Sequence, residues 1–527
     1  MPRRLLPLTA LIVGLLAPPG WAADDVPPPA PAAVERPPEK QAASPLQTGS
    51  VAQPDEMDFS REFADRLAIT GGNLSAADRE DRAALAEFYA GRQQAPLWVG
   101  ANGLTAGAEA VAAEIRRAGD WGLEASAFHL PAPKAAAGTQ LSRAERADAE
   151  IALSLAILKY ARHARGGRAD PATLSKNLDR KLLLLAPPQV IDAASKAQAP
   201  DAYLRSLHPQ QPPFEALRQK YLALKGGQAA EKATARKVLA NMEEWRWMPE
   251  TLGDFYIWVN VPEFTLRVVK NGQVIHTERV VVGKTDTPTP IFSQDMVQVV
   301  FHPNWGVPES IKKQDVLPSL IRGSTRIFTF YHLRIQRGGR DVDPATVDWN
   351  TADIRHFHIF QPPGENNVLG NIKFRFPNKH DVYMHDTPQK QLFNADVRAF
   401  SHGCMRVRNP QRLAELLLAE DQGWPAQRVA AAIAPGAAQN NAVNIGRKIP
   451  VHITYFTAAV VQDGTLKLFP DVYGHESKIA LGMEGKAHLI PKEKTPVRAE
   501  AIGSLAESTG TGGYAKKDLV HRVFGNN

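Results

Sequence analysis

The hydrophobic pattern of this chain changes period once, and that change divides what it can fold into. Up to about Met242 apolar residues recur at helical spacing. After Trp245-Arg246-Trp247-Met248-Pro249 they alternate, as in Phe255-Tyr256-Ile257-Trp258-Val259-Asn260-Val261-Pro262 and Phe264-Thr265-Leu266-Arg267-Val268-Val269. A period of 3.6 buries one stripe of a helix and a period of 2 buries one face of a strand, so the two halves need different packing partners. The expected fold is therefore α+β and multidomain, with a helical domain over 58–244 followed by a β-rich domain over 245–475. Within the first, Ser75-Ala76-Ala77-Asp78 and Ser142-Arg143-Ala144-Glu145 have capping-box spacing, and Ile151, Leu155 and Leu158 fall on one helix face. Within the second, Lys270-Asn271-Gly272-Gln273 predicts a tight hairpin, because Asn-Gly supplies the positive φ angles such a reversal needs. Leu413, Leu416 and Leu417 predict one intruding helix over 410–420, and Val451–Phe456 and Thr465–Phe469 read as the last strands.

The ends of the chain read differently. Arg3 and Arg4 precede an apolar run from Leu5 to Leu16, then Pro18-Pro19-Gly20 and a small residue before Asp24-Asp25. That is the pattern of a secretory signal over 1–22, too short to span a bilayer, so the expectation is an exported, periplasmic protein without a transmembrane segment once the signal is cut. The alternative is an uncut signal acting as an anchor. Residues 23–57, rich in Pro, Ala, Gln and Ser, are expected to be a disordered tether, and 476–527 a partly disordered extension. With a single cysteine no internal disulfide is possible, and the core must hold the fold alone. Lys and Arg number 62 against 55 Asp and Glu, a surplus of seven spread thinly. It suits an anionic polymer, but no dense basic block with interleaved aromatics points to nucleic acid.

The sole cysteine, Cys404, stands in Ser401-His402-Gly403-Cys404-Met405-Arg406-Val407-Arg408-Asn409, nineteen residues after His385 in Tyr383-Met384-His385-Asp386-Thr387-Pro388. A thiol among glycine, histidine and arginine lacks the apolar company of a core cysteine, and nearby positive charge would favour the thiolate. A nucleophile is the reading, with a small buried hydrophobe as the bland alternative. His356, His358, His380, His385, His402 and Cys404 also gather possible zinc ligands, but without HExxH or CxxC spacing, so no metal is expected. A papain-like protease fits poorly, since it places its histidine long after the cysteine.

The motif Ser401-His402-Gly403-Cys404-Met405-Arg406 with Asn409, preceded by Tyr383-Met384-His385-Asp386-Thr387-Pro388, resembles the active-site signature of the L,D-transpeptidases, the YkuD-type cell-wall enzymes. Val282-Gly283-Lys284 with Thr287-Pro288-Thr289-Pro290, His302–Ile311 and Gln361–Gly370 resemble the large periplasmic branch of that family. The resemblance implies a helical scaffold domain followed by an L,D-transpeptidase catalytic domain with a capping insertion at about 305–375. The peptidoglycan-binding module of many members has no counterpart in the short stretch 226–234.

By that resemblance Cys404 attacks the bond between diaminopimelate and the terminal D-alanine of a tetrapeptide stem, and the acyl group passes to the side-chain amine of a second stem. Water as acceptor would give an L,D-carboxypeptidase, and a lipoprotein would give wall attachment. A catalytically silent wall-binding scaffold is the alternative of another class. The expected partners are peptidoglycan stem peptides and other cell-wall synthesis proteins, with no cofactor. His385 is the expected general base, with Asp386 fixing its tautomer through side chain or carbonyl. The N–H groups of Gly403 and Cys404 are candidates for an oxyanion hole. Arg406 is read either as a group that binds a stem carboxylate or biases the thiol toward its anion, or as a buttress of the loop. Ser401, His402 and Asn409 are expected to shape the loop, and Tyr383 and Trp305 to line the donor cleft.

Overall fold

Ser142 shows how the helical region begins its longest element. Its hydroxyl accepts the Glu145 N–H at 3.2 Å while its own N–H donates to the Glu145 carboxylate at 2.8 Å, closing the expected capping box. Ser75 and Asp78 do the same for the helix Ala76–Ala90. The computed structural model describes residues 54–491 apart from 70–73, 91, 93–95, 133–134 and 136–138. The expected signal, the tether up to residue 53 and the tail from 492 onward lie outside the described residues. Helices run over Pro54–Ala68, Ala76–Ala90, Ala106–Arg116, Arg143–Gly166, Pro187–Lys196, Pro200–Ser206, Pro212–Leu224 and Ala229–Arg246, so the first of them starts inside the stretch read as tether. Arg143–Gly166 is enclosed on most of its circumference and does not present one stripe, because Ala149, Leu153, Ala156, Ile157 and Tyr160 are buried along with Ile151 and Leu158. Its small side chains let neighbours approach from several directions. Buried Glu150 is satisfied by the Tyr89 hydroxyl at 2.6 Å and the N–H groups of Trp98 and Val99 at 2.9 and 3.1 Å.

The hairpin forms as its sequence dictates. Asn271 and Gly272 take φ of 50° and 76° between the paired strands Thr265–Lys270 and Gln273–Gly283. Among the described residues eleven strands build one sheet. Its order is Asn441–Asn444, Gln298–Phe301, Ile372–Arg375, Met384–His385, Met405–Val407, Gln273–Gly283, Thr265–Lys270, Phe255–Asn260, Pro450–Thr454 and Ser293–Asp295, with Ala399–Ser401 also paired to Gln273–Gly283. The helix Pro410–Gln422 packs Leu413 and Leu417 into the core. Leu466–Leu468 does not join this sheet but pairs with Ala458–Val460 in a separate ribbon against the helices Pro212–Leu224 and Ala229–Arg246. The helix His475–Met483 buries Ile479 and Met483 and so extends the ordered fold past residue 475.

The helical and β-rich regions share one core: Ala169, Leu174, Leu178 and Ala240 cluster with Val259, Val268 and Phe301. The join is also made by backbone, since Ile291 donates to Asn177 O at 2.7 Å and Asp179 donates to Ile291 O at 2.9 Å. Between Phe301 and Ile372 the chain leaves the sheet to form a layer with its own core of Trp305, Ile311, Leu320, Ile335, Trp349, Ile359 and Leu369. Four short strands brace it, Trp305–Gly306, Arg334–Arg337, Arg340–Asp341 and His358–Gln361.

Candidate active site

Two neighbouring strands carry the residues singled out by the motif. Met384–His385 runs parallel to Met405–Val407, with Met384 opposite Met405, His385 opposite Arg406, and the Met405 N–H donating to Tyr383 O at 3.0 Å. Because successive side chains of a strand point to opposite faces, Met384 and Met405 enter the core while Tyr383, His385, Cys404 and Arg406 share the other face. Lys373, directly opposite His385 on the strand Ile372–Arg375, joins them. A cleft of about 310 Å³ lies over this face, lined by Tyr383, His385, Ser401, His402, Cys404 and Arg406 below and by Trp305, Ile311 and Leu369 of the overlying layer.

His385 is buried, and its Nδ1 lies 2.5 Å from Asp386 O. A carbonyl can only accept, so Nδ1 carries the hydrogen and Nε2 of the neutral ring keeps its lone pair. The backbone of Asp386 thus sets the tautomer. Its side chain does something else: it accepts from Asn371 N–H at 2.9 Å, Thr387 N–H at 2.7 Å and Lys390 Nζ at 2.5 Å, and so ties the turn at Gly370 to the strand end. Burial, with the Arg406 charge beside it, holds the imidazole down at about 3.

The thiol differs from the sequence expectation. Desolvation pushes Cys404, half-buried at the cleft floor, up to about 11, more than the Tyr383 backbone and Lys373 bring it down, which favours a neutral thiol over a thiolate at rest. Arg406, itself lowered to about 10 by burial, bonds Gln389 Oε1 at 2.6 Å. Tyr383 is buried, and desolvation with Cys404 beside it pushes its phenol well above its usual range. The Lys373 ammonium sits 3.8 Å from its ring centroid.

The loop before the cysteine also departs from expectation at one point. Gly403 N–H donates to Ser401 Oγ at 3.1 Å, and that hydroxyl donates to Cys404 O at 2.5 Å. Gly403 therefore has no N–H to offer an oxyanion, since a serine side chain two residues back has taken it. Among the described residues the Cys404 N–H carries no hydrogen bond. Asn409 lies away from the cleft, where its side chain caps the helix Pro410–Gln422 by accepting from Arg412 N–H at 3.3 Å. His402 is half-buried at the cleft wall.

Sequence reasoning passed over three residues that the fold brings to this neighbourhood. Strand alternation opposite His385 is the signal that could have found Lys373. Thr289, in a quoted motif without a role, donates to Gly403 O at 2.8 Å. Asp179, from the helical region, lies 2.9 Å from Nε2 of His380, a cleft-lining residue, and nothing local in the sequence joins them. Among the described residues no group of three or more His, Cys, Asp or Glu is arranged to hold a metal ion.

Residues 254–445 match the family model described as the L,D-transpeptidase catalytic domain, and residues 83–220 the one described as a scaffold domain. A protein of Haemophilus influenzae named "Putative L,D-transpeptidase" is 31% identical over 253 residues, covering 48% of this chain and 50% of that protein. The chain thus aligns with about half the length of that relative. Among solved structures, L,D-transpeptidase 3 from Mycobacterium tuberculosis is 13% identical over 38% of this chain and 61% of its own, with a TM-score of 0.19. An L,D-transpeptidase from Mycobacterium smegmatis is 12% identical over 38% and 58%, with a TM-score of 0.17. At those scores neither adds detail to the site.

Proposed function

Since this chain belongs to the L,D-transpeptidase family through residues 254–445, with a scaffold domain ahead of them, we propose that it is a peptidoglycan L,D-transpeptidase working through Cys404 and His385. The observation that carries this reading is the shared face: a thiol just ahead of the strand Met405–Val407 and an imidazole with a fixed tautomer on its parallel neighbour line one cleft under a separately packed layer. His385 Nε2 takes the thiol proton as sulfur attacks the diaminopimelate carbonyl, the C–S bond forms, and the C–N bond to D-alanine breaks with the same proton going to the leaving amine. The side-chain amine of a second stem then attacks the thioester. A new C–N bond forms, the C–S bond breaks, and the amine's surplus proton returns through His385 to sulfur.

A neutral starting pair suits this sequence, because an imidazole that is uncharged at neutral pH is ready to accept and the proton moves only as the transition state forms. The Cys404 N–H is the donor available to the oxyanion, and Arg406 supplies positive charge at the cleft wall for a stem carboxylate. Trp305 and Tyr383 line the donor side. A roof that excludes water favours amine over water as acceptor. The basic, apolar and small-residue pattern of residues 1–22 supports reading this chemistry as periplasmic.

The test is mass spectrometry of purified tetrapeptide incubated with the full chain. The expected product is a dimer lacking one D-alanine, absent with Cys404→Ala and with His385→Ala. Tripeptide alone would make water the acceptor, and unreacted tetrapeptide would leave the silent scaffold.

A further inference from the structure

The turn after the strand Gln273–Gly283 holds the cysteine loop by its carbonyls. Lys284 N–H and Thr287 Oγ1 donate to Ser401 O at 2.9 and 3.1 Å, and Thr289 Oγ1 donates to Gly403 O at 2.8 Å. Thr289 is fully buried, and its hydroxyl in turn accepts the Gly283 N–H at 2.9 Å, so its one proton is committed to Gly403. The turn can close this tightly only over glycine: a Cβ at Gly283 would lie 2.2 Å from Thr287 O and 2.7 Å from Thr289 N. From beyond the matched catalytic segment, Tyr473 Oη donates to Gly283 O at 2.6 Å and accepts the Thr289 N–H at 3.3 Å, which fixes the turn from its outer side.

The consequence follows from peptide geometry. In a trans peptide the C=O and N–H point to opposite edges of one plane, and the described residues contain no cis bond. The bond from Thr289 to Gly403 O therefore also sets the direction of the Cys404 N–H, which belongs to the same plane and points away from Thr289. Gly403, at φ 107°, has the freedom to let that plane turn, so without an external hold its orientation would be loose. We propose that Thr289 is a positioning residue that, through the Gly403–Cys404 peptide, aims the Cys404 N–H at the oxygen of the carbonyl under attack. This rests on Cys404 being the acylated nucleophile.

The experiment compares two reactions of Cys404 in the full chain. A carbapenem acylates through a tetrahedral oxyanion, whereas iodoacetamide alkylates by direct displacement and forms none. Thr289→Val keeps the branched shape and removes the hydroxyl; Thr289→Ser keeps the hydroxyl. Thr289→Val is expected to slow acylation about ten- to a hundredfold, within the range seen when an oxyanion donor is lost. Its alkylation rate should stay within about twofold of the wild type, and Thr289→Ser should restore acylation. Acylation at the wild-type rate in Thr289→Val, or equal slowing of both reactions, overturns the assignment while leaving the proposed function standing. A wild-type chain that alkylates but never acylates removes the proposed function and this inference with it.

Discussion

Alkylation of the sole cysteine across pH tests the electrostatics of the site without a substrate. In the folded chain Cys404 is pushed from its ordinary 9.0 up to about 11, so the perturbation is to unfold the protein in urea and compare rates at equal pH. At pH 7 a thiol at about 11 is ionised to about one part in ten thousand, against about one in a hundred at 9.0. The more basic thiolate is the better nucleophile, and a Brønsted slope of about 0.4–0.5 returns roughly eightfold of that hundredfold loss. The folded chain should thus react with iodoacetamide about tenfold more slowly than the unfolded chain at pH 7, and its rate should keep climbing to about pH 11 where the unfolded rate levels near 9. Because the sequence holds one cysteine, the mass shift on the intact protein reads this site alone. A folded rate that is faster than the unfolded one, or that levels below pH 8, would mean a preformed thiolate–imidazolium pair and would refute the reasoning.

Three further outcomes are expected. Asp386→Ala removes the acceptor of Asn371, Thr387 and Lys390 but not the carbonyl on His385, so thermal denaturation should show a loss of about 1–3 kcal/mol while carbapenem acylation stays within a few-fold. Buried His385 is lowered from 6.5 to about 3, so the stability it contributes is full above 6.5 and falls as pH drops toward 3, by up to about 5 kcal/mol. His385→Gln should flatten that acid limb in urea melts, and an unchanged limb would contradict the burial argument. Buried Glu244, which accepts the Tyr455 N–H at 2.7 Å, is raised from 4.5 to about 7; its contribution is full below 4.5 and falls as pH rises to 7, by up to about 3 kcal/mol. Glu244→Gln keeps an acceptor and should narrow the stability difference between pH 5 and pH 8, as read by calorimetry.

Local signals and long-range ones differ sharply in how legible they are here. The Asn271-Gly272 turn, the Ser142–Glu145 box and the alternation of Phe255–Asn260 were readable because each is decided by residues within a few positions of one another. The grouping of Tyr383, His385, Cys404 and Arg406 was readable through the motif, and the parallel register of their strands explains why nineteen residues separate two neighbours in space. The neutral thiol was not readable. Flanking arginine and histidine suggest an anion, but the outcome is set by desolvation, and that depends on Tyr383 and on a layer whose Trp305 lies 99 residues earlier. The Gly403 N–H is hidden from a sequence reading for a smaller reason: Ser401 is close enough to compete for it, which a motif read as a string does not reveal.

The helical region bears on the site more directly than a neighbouring module would. Asn177 and Asp179 pair with Ile291, and Ile291 follows Thr289 by two residues, so the turn that grips the cysteine loop is itself pinned to the helical side. The Asp179 carboxylate then reaches His380 and Lys379, in the loop leading to Tyr383 and His385. Asn378 closes that loop by donating to Phe376 O and Val382 O at 2.7 and 2.8 Å. One short segment, 177–179, therefore touches both approaches to the cleft floor: the turn behind Cys404 and the loop ahead of His385. Exposed ion pairs such as Lys379–Asp179 contribute little by themselves, so the coupling resides in the backbone pairing at Ile291 and the packing of Leu178 into the shared core. Displacing segment 177–179 would free both loops together, and for that reason the geometry over Cys404 rests on this part of the helical region as well as on the catalytic segment.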